Sequence, residues 1–265
     1  MIVVGELINA SRQAIAEAIK NQDTAAIQQV ARGQASAGAS YIDVNAGIFQ
    51  DREAEYMKWL VESVRAVTQV PCSIDSPNPK ALEAGLSAHP GPALINSISL
   101  EPERLDAVTP LVRGTPHSII ALCIDANGIP DTVDERLRRT ERLVNHLGKA
   151  DVPADRIFID PLLKALSTSH TEAVQFLDAV AAIKQRFPAV HVTCGLSNVS
   201  FGLPRRKALN RVFAMMAIAR GLDSAIMNPL DDRMMSNIIV AETLSGRDEW
   251  CEKYLMAHRE GKLVV

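Results

Sequence analysis

The chain has 265 residues, 47% hydrophobic and 22% charged, with a formal net charge of −3. That mix suits a globular protein with a core of ordinary size, which needs neither disulfides nor a structural metal to hold it. The acidic balance and an aromatic content of only 4% exclude a surface built to neutralise phosphates and stack on bases, so no nucleic-acid partner is expected.

The opening Met1 to Glu6 has no basic n-region and no long apolar run, so a secretory signal is not expected there. No window approaches the roughly 18 apolar residues of a membrane span. A cytoplasmic protein without a membrane partner is the expectation.

Short apolar runs then alternate with amphipathic stretches. Ile2-Val3-Val4 reads as a strand ending in Glu6, and residues 23–36 read as a helix capped by Asp23, with Ile27, Val30 and Ala31 on one face. Tyr41 to Val44 ends in Asn45 and is followed by a helix over 51–66 with Met57, Leu60, Val61 and Val64 on one face. Cys72-Ser73-Ile74 ends in Asp75. The helix after it, 78–87, is opened by Pro77 and Pro79, residues suited to a helix start. Ala93-Leu94-Ile95 ends in Asn96 and precedes a helix at 101–112; Ser118 to Cys123 ends near Asp125 and precedes one at 132–147. Ile157-Phe158-Ile159 ends in Asp160, Val190 to Cys194 in Gly195, and Ser224 to Met227 in Asn228, with helices over 170–186, 207–219 and 231–244. A last helix, at about 247–260, reads as an extension of the repeat.

Strands alternating with helices imply a parallel sheet. Eight repeats within about 250 residues point to one closed domain over 1–265, a single (β/α)8 TIM barrel. A doubly wound sheet fits the alternation too, but Gly5-Glu6-Leu7-Ile8-Asn9 is not the glycine-rich loop such a sheet uses for a dinucleotide.

Ligands of β/α barrels bind at the C-terminal ends of the strands. Those ends carry Glu6, Asp43, Asn45, Asp75, Asn96, Asp160, Ser197 and Asn198. Any one of them is explained as a helix cap, but eight converging on one face are not. The set lacks a histidine-rich metal cluster, an apparent Ser/His pair and a strand-end lysine. Cys72, Cys123, Cys194 and Cys251 form no CxxC pair and read as free thiols, and His191, inside a strand, reads as a structural histidine. No tightly bound metal is expected. Carboxylates accept hydrogen bonds and carboxamides both donate and accept, which suits a flat heterocycle with an amidine-like edge. Pterins and guanine both have that edge.

Six stretches carry a family resemblance: Gly5-Glu6-Leu7-Ile8-Asn9, Asp43-Val44-Asn45-Ala46-Gly47, Ile74-Asp75-Ser76, Ile95-Asn96-Ser97, Ile159-Asp160-Pro161 and Gly195-Leu196-Ser197-Asn198-Val199-Ser200. In order and spacing, over essentially the whole chain, they resemble the pterin-binding methyltransferases that act between tetrahydrofolate and corrinoid proteins. The folate-binding module of cobalamin-dependent methionine synthase is similar but more distant. The resemblance implies that Asp75, Asn96 and Asp160 hold the pterin edge, with Gly195 and Ser197 lining it. Asn198 is the implied catalytic carboxamide near N5, and Arg206 an arginine near the substrate. Glu6, Asp43 and Asn45 would line the floor or brace the others. One position departs from the pattern: close relatives often carry Gln three residues after the Asn, where this chain has Phe201, as in the Ser-Asn-x-Ser-Phe pattern of methionine synthases.

The implied activity moves a methyl group between N5 of (methyl)tetrahydrofolate and the cobalt of a corrinoid carried by a partner protein, with direction set by the pathway. The chain has no Asp-x-His-x-x-Gly motif to ligate a corrin itself. Relatives form homodimers, so a homodimer is expected. The rival readings are a dihydropteroate synthase and a non-catalytic folate-binding protein. The first lacks its Asn-x-Thr-x-Asp-Ser-Phe and Ser-x-Arg-x-His motifs here, and the Asn198 motif argues against the second.

Overall fold

A computed structural model describes residues 1–264. Eight parallel strands run β1 (Ile2–Asn9), β2 (Tyr41–Asn45), β3 (Cys72–Asp75), β4 (Leu94–Ser99), β5 (Ser118–Leu122), β6 (Ile157–Asp160), β7 (His191–Val192) and β8 (Ser224–Met227). Their order in the sheet is β7-β6-β5-β4-β3-β2-β1-β8. A parallel bridge from Gly195 to Ile226, with Ile226 N donating to Cys194 O at 2.9 Å, joins the two ends. The protein is therefore a (β/α)8 barrel, as the alternation predicted.

Helices α2 (Thr24–Ser36), α3 (Glu53–Arg65), α4 (Pro79–Ala88), α5 (Pro102–Val112), α6 (Val133–Lys149), α7 (Glu172–Arg186), α8 (Arg206–Arg220) and α9 (Asp232–Leu244) form the outer ring. Asp23, Asn78, Thr132 and Asp231 cap four of them through side-chain oxygens, satisfying backbone N–H groups of the first turn. The main core lies between strands and helices, and includes Ile42, Met57, Leu60, Ile74, Leu82, Leu143 and Phe176. Val4, Leu94, Ile120 and Phe158 form a separate cluster, the layer of side chains that fills the barrel itself.

The structure corrects several boundaries. Helix α1 (Gln13–Lys20) was not anticipated. It buries only Ile15, Ala18 and Ile19, too short a stretch for its periodicity to register in an 11–18-residue window. Strand β1 runs past Glu6 to Asn9 through an irregularity between Gly5 and Ile8. There Gln34 of α2 accepts from Leu7 N at 3.0 Å, supplying the partner the ladder does not. Strand β7 is two residues rather than five, because pairing with β6 ends at Val192 and the backbone beyond turns to bridge β8. The C-terminal helix α10 is Glu252–Arg259, shorter than expected: Gly246 at φ +71° follows the end of α9, and Trp250 and Cys251, both at positive φ, break the turn before α10. Cys72, Cys123 and Cys194 are buried free thiols, whereas Cys251 is exposed. Among the described residues no helix is long and apolar enough to cross a membrane.

Candidate functional site

The strand ends meet at the mouth of the barrel, and the acidic and amide side chains there are bound to one another. Asn45, at the end of β2, donates from Nδ2 to Asp75 Oδ2 at 2.9 Å, while its Oδ1 accepts from Gly47 N at 2.9 Å. Both ends of the Asn45 carboxamide are thus engaged, which fixes the Asp75 carboxylate. Asp43 does the same one layer deeper: its Oδ1 accepts from Ser73 Oγ at 2.7 Å and from Asn96 Nδ2 at 3.3 Å. Asp160 Oδ1 accepts from Leu162 N at 2.8 Å. Each of these groups keeps capacity in reserve. Oδ1 of Asp75, Oδ2 of Asp160 and Oδ1 of Asn96 have no intramolecular partner among the described residues. Three fixed acceptors at the strand ends suit the N–H and amino donors of a pterin edge, since a ligand lacking them would leave buried polar groups unpaired.

Burial dominates the electrostatics. It pushes Asp160 up to about 7, against the Leu162 N–H and the Arg136 guanidinium. It pushes Asp75 up to about 6, with Glu53 raising it further and Asn45 and Arg104 opposing. Asp43 is driven well above the usual carboxylate range by burial and by the neighbouring Asp75. Glu6 is raised by burial, which outweighs Arg12 and Arg206. Such displaced carboxyl groups in a cleft are a common signature of a functional site.

Asn198 stands apart from this network. It lies in the 3-10 turn Leu196–Ser200 after β7, and its exposed carboxamide has no side-chain partner among the described residues. A Cβ on Gly195 would lie 3.1 Å from Asn198 Nδ2, so the glycine leaves the amide room over the backbone. Arg206, the first residue of α8, holds the turn closed: Nη2 donates to Ser197 O at 2.7 Å and Nε to Ser200 Oγ at 3.1 Å. Glu6 faces the same side, paired with Arg12 at 3.0 Å. Phe201 is 67% exposed.

Several supporting residues escaped the sequence reading. Arg104 of α5 donates to the backbone oxygens of Ser76, Pro77 and Ser97, tying the loops after β3 and β4 together beside Asp75. Glu53 accepts from Ser76 Oγ. Arg136 of α6 donates to Pro161 O at 2.9 Å and Leu162 O at 3.1 Å, and pairs with Glu172, which also accepts from Lys164 N at 3.2 Å. That clamp holds the backbone whose N–H grips Asp160. A signal existed: Arg136 sits in register with the buried stripe Thr140, Leu143 and Leu147 of its own helix, where a charged residue needs a partner. No group of three or more His, Cys, Asp or Glu among the described residues is arranged to hold a metal.

The model of the family described as "Pterin binding enzyme" matches residues 5–228. The chain belongs to that pterin-binding family. It is 38% identical over 265 residues to a methylcorrinoid:tetrahydrofolate methyltransferase of Eubacterium limosum, spanning 99% of this chain and 98% of that protein. It is 32% identical over 241 residues to a methionine synthase of Mycobacterium leprae, covering 86% of this chain but 20% of the larger protein. In fold it resembles a dihydropteroate synthase of Xanthomonas albilineans, with a TM-score of 0.68 at 20% identity over 92% of this chain and 90% of that one. Family membership covers all the strand ends described above, from Glu6 to Asn228.

Proposed function

We propose that this pterin-binding enzyme transfers a methyl group between a methylated corrinoid protein and N5 of tetrahydrofolate. The observation that carries the reading is the division of the mouth. One side offers buried, braced acceptors on Asp75, Asn96 and Asp160, and the other a free, exposed carboxamide on Asn198. The first suits the recognition edge of the pterin, the second the reacting nitrogen. The full-length similarity to the Eubacterium limosum enzyme supports folate as the methyl acceptor in the physiological direction.

In that direction N5 attacks the methyl carbon of the methylated corrinoid, and the carbon–cobalt bond breaks with its electron pair on cobalt. N5, now carrying the methyl group, sheds its proton to water. Asn198 Oδ1 accepts from the N5–H, orients the lone pair and stabilises the charge that develops on nitrogen. In the reverse direction the Asn198 amide stabilises the protonated N5 that must leave. The corrinoid is a substrate delivered by its own protein, and Asn198, exposed at the rim, lies where such a partner reaches it.

The test is methyl transfer from a methylated corrinoid protein to tetrahydrofolate. Asn198→Ala is expected to lower turnover tenfold or more while pterin binding survives. Unchanged turnover defeats the assignment, and a wild type that binds folate without transferring methyl to or from either a corrinoid protein or free cobalamin is a binding protein. We also place the protein in the cytoplasm as a homodimer. The exposed Val212 and Met216 of α8, and Leu244, Trp250, Leu255 and Met256 near the C-terminus, support a self-association surface. Sedimentation velocity checks the dimer.

A further inference from the structure

The sheet ladder between β3 and β4 stops where two of the recognition side chains begin. Asp75 and Asn96 are its last paired residues, and Ser76 N donates to Asn96 O at 3.0 Å. Beyond them β4 shifts its register on β5 between Asn96 and Ile98, while the chain after β3 turns off toward α4. Two loops that carry neighbouring polar groups are thus left without a common ladder. Arg104 joins them. Its Nε donates to Ser97 O at 2.8 Å, its Nη2 to Ser76 O at 2.8 Å, and its Nη1 to Pro77 O.

The arginine occupies an unfavourable place on its own helix. It is the third residue of α5, in the first turn, where a helix favours anions over cations. Among the described residues its hydrogen bonds all end on carbonyl oxygens and none on a carboxylate. It shares a cavity of about 360 Å³ with Asp75, Ser97 and Leu122.

We propose that Arg104 is a positioning residue for pterin recognition, setting the spacing of Asp75 and Asn96 through their loops and facing the Asp75 carboxylate with its charge. The inference rests on the reading of Asp75 and Asn96 as holders of the pterin edge. Both must meet one rigid ring at once, so an error in their spacing weakens binding directly. A planar fork held at three carbonyls fixes two loops as a single ammonium on a flexible stem does not. The charge acts separately. Asp75 is faced by Asp43 of β2, Glu53 of α3 and Arg104 of α5, and Glu101 lies beside the arginine. Burial and Glu53 favour the neutral acid, whereas Asn45 and Arg104 favour the carboxylate that pterin N–H donors require.

The experiment is isothermal titration of the wild type, Arg104→Lys and Arg104→Gln with tetrahydrofolate, across the pH range in which Asp75 titrates. Urea midpoints on the same samples establish that each variant is folded. Arg104→Lys keeps the charge and loses the fork. Its affinity at high pH should fall about three- to tenfold, with the pH midpoint of binding unmoved. Arg104→Gln keeps a donor and loses the charge. Its affinity should fall by a similar factor, and its midpoint should move to higher pH. High-pH affinities of both variants within about twofold of the wild type overturn the role of Arg104 while leaving the pterin site standing. A midpoint that stays in place in Arg104→Gln overturns it too. A wild type that fails to bind tetrahydrofolate overturns the pterin site and the role of Arg104 with it.

Discussion

Arg136 and Glu172 form an ion pair in which the side chains are 0% and 1% exposed, and neither group meets solvent or the open cleft. The pair joins α6 to the start of α7, and the same guanidinium holds the Pro161 and Leu162 carbonyls. Glu172→Gln leaves a buried guanidinium without its counter-charge. Stability should fall by about 3–5 kcal/mol, read as a lower urea midpoint. Because the loop gripping Asp160 loosens, KM for the folate should rise while kcat at saturation changes little. Replacing both partners together by Met and Leu should restore much of the stability but not the KM.

Binding should be linked to protons. Burial holds Asp75 at about 6 and Asp160 at about 7, against an ordinary value of 3.8. Between those limits the folded protein retains protons that the unfolded chain has lost. The contribution of these two groups to stability is therefore fully present below about pH 4, declines as pH rises through about 6 and about 7, and then levels off. Pterin N–H donors need the ionised carboxylates, so binding should release protons and tighten as pH rises through about 7. Calorimetry in two buffers of different ionisation enthalpy reads this directly. Proton uptake on binding would contradict it.

Gly195→Ala places a methyl group 3.1 Å from Asn198 Nδ2 and forces the carboxamide aside. Misplacing a catalytic group by a fraction of an ångström to an ångström costs about ten- to a hundredfold in rate. Methyl transfer should fall by that order, while the folate dissociation constant, which we propose depends on Asp75, Asn96 and Asp160, should shift by less than about threefold. Single-turnover rates and equilibrium titration on the same variant separate the two effects.

Gly5→Ala tests the β1 irregularity. A Cβ there would fall 2.4 Å from Gln34 Oε1, the acceptor for Leu7 N. Gln34 is fully buried and cannot retreat into solvent. Overpacking together with a lost backbone partner should lower stability by about 1–3 kcal/mol, seen as a lower melting temperature.

The repeating alternation of apolar runs and amphipathic helices was enough to reveal eight strands and their order along the chain. Because strand ends lie on one face of a barrel, Glu6, Asp43, Asn45, Asp75, Asn96, Asp160 and Asn198 could be grouped before any coordinates. That grouping depends on periodicity and element ends, which are local properties. What each residue does for the others is not local. That Asn45 braces Asp75 across 30 residues, and Asp43 braces Asn96 across 53, depends on which strands stand side by side. The clamp of Arg136 on the Asp160 loop spans 25 residues and hides inside a helix whose pattern looks ordinary. The closure of the barrel at Gly195 and Ile226 leaves β7 shorter than its apolar run suggests, because a backbone that must reach β8 cannot go on pairing with β6. The sequence by itself determined the barrel and the chemical character of its mouth. Only the tertiary structure decided which carboxylates are held by neighbours, which oxygens stay free, and that the Asn198 carboxamide stands exposed without a side-chain partner.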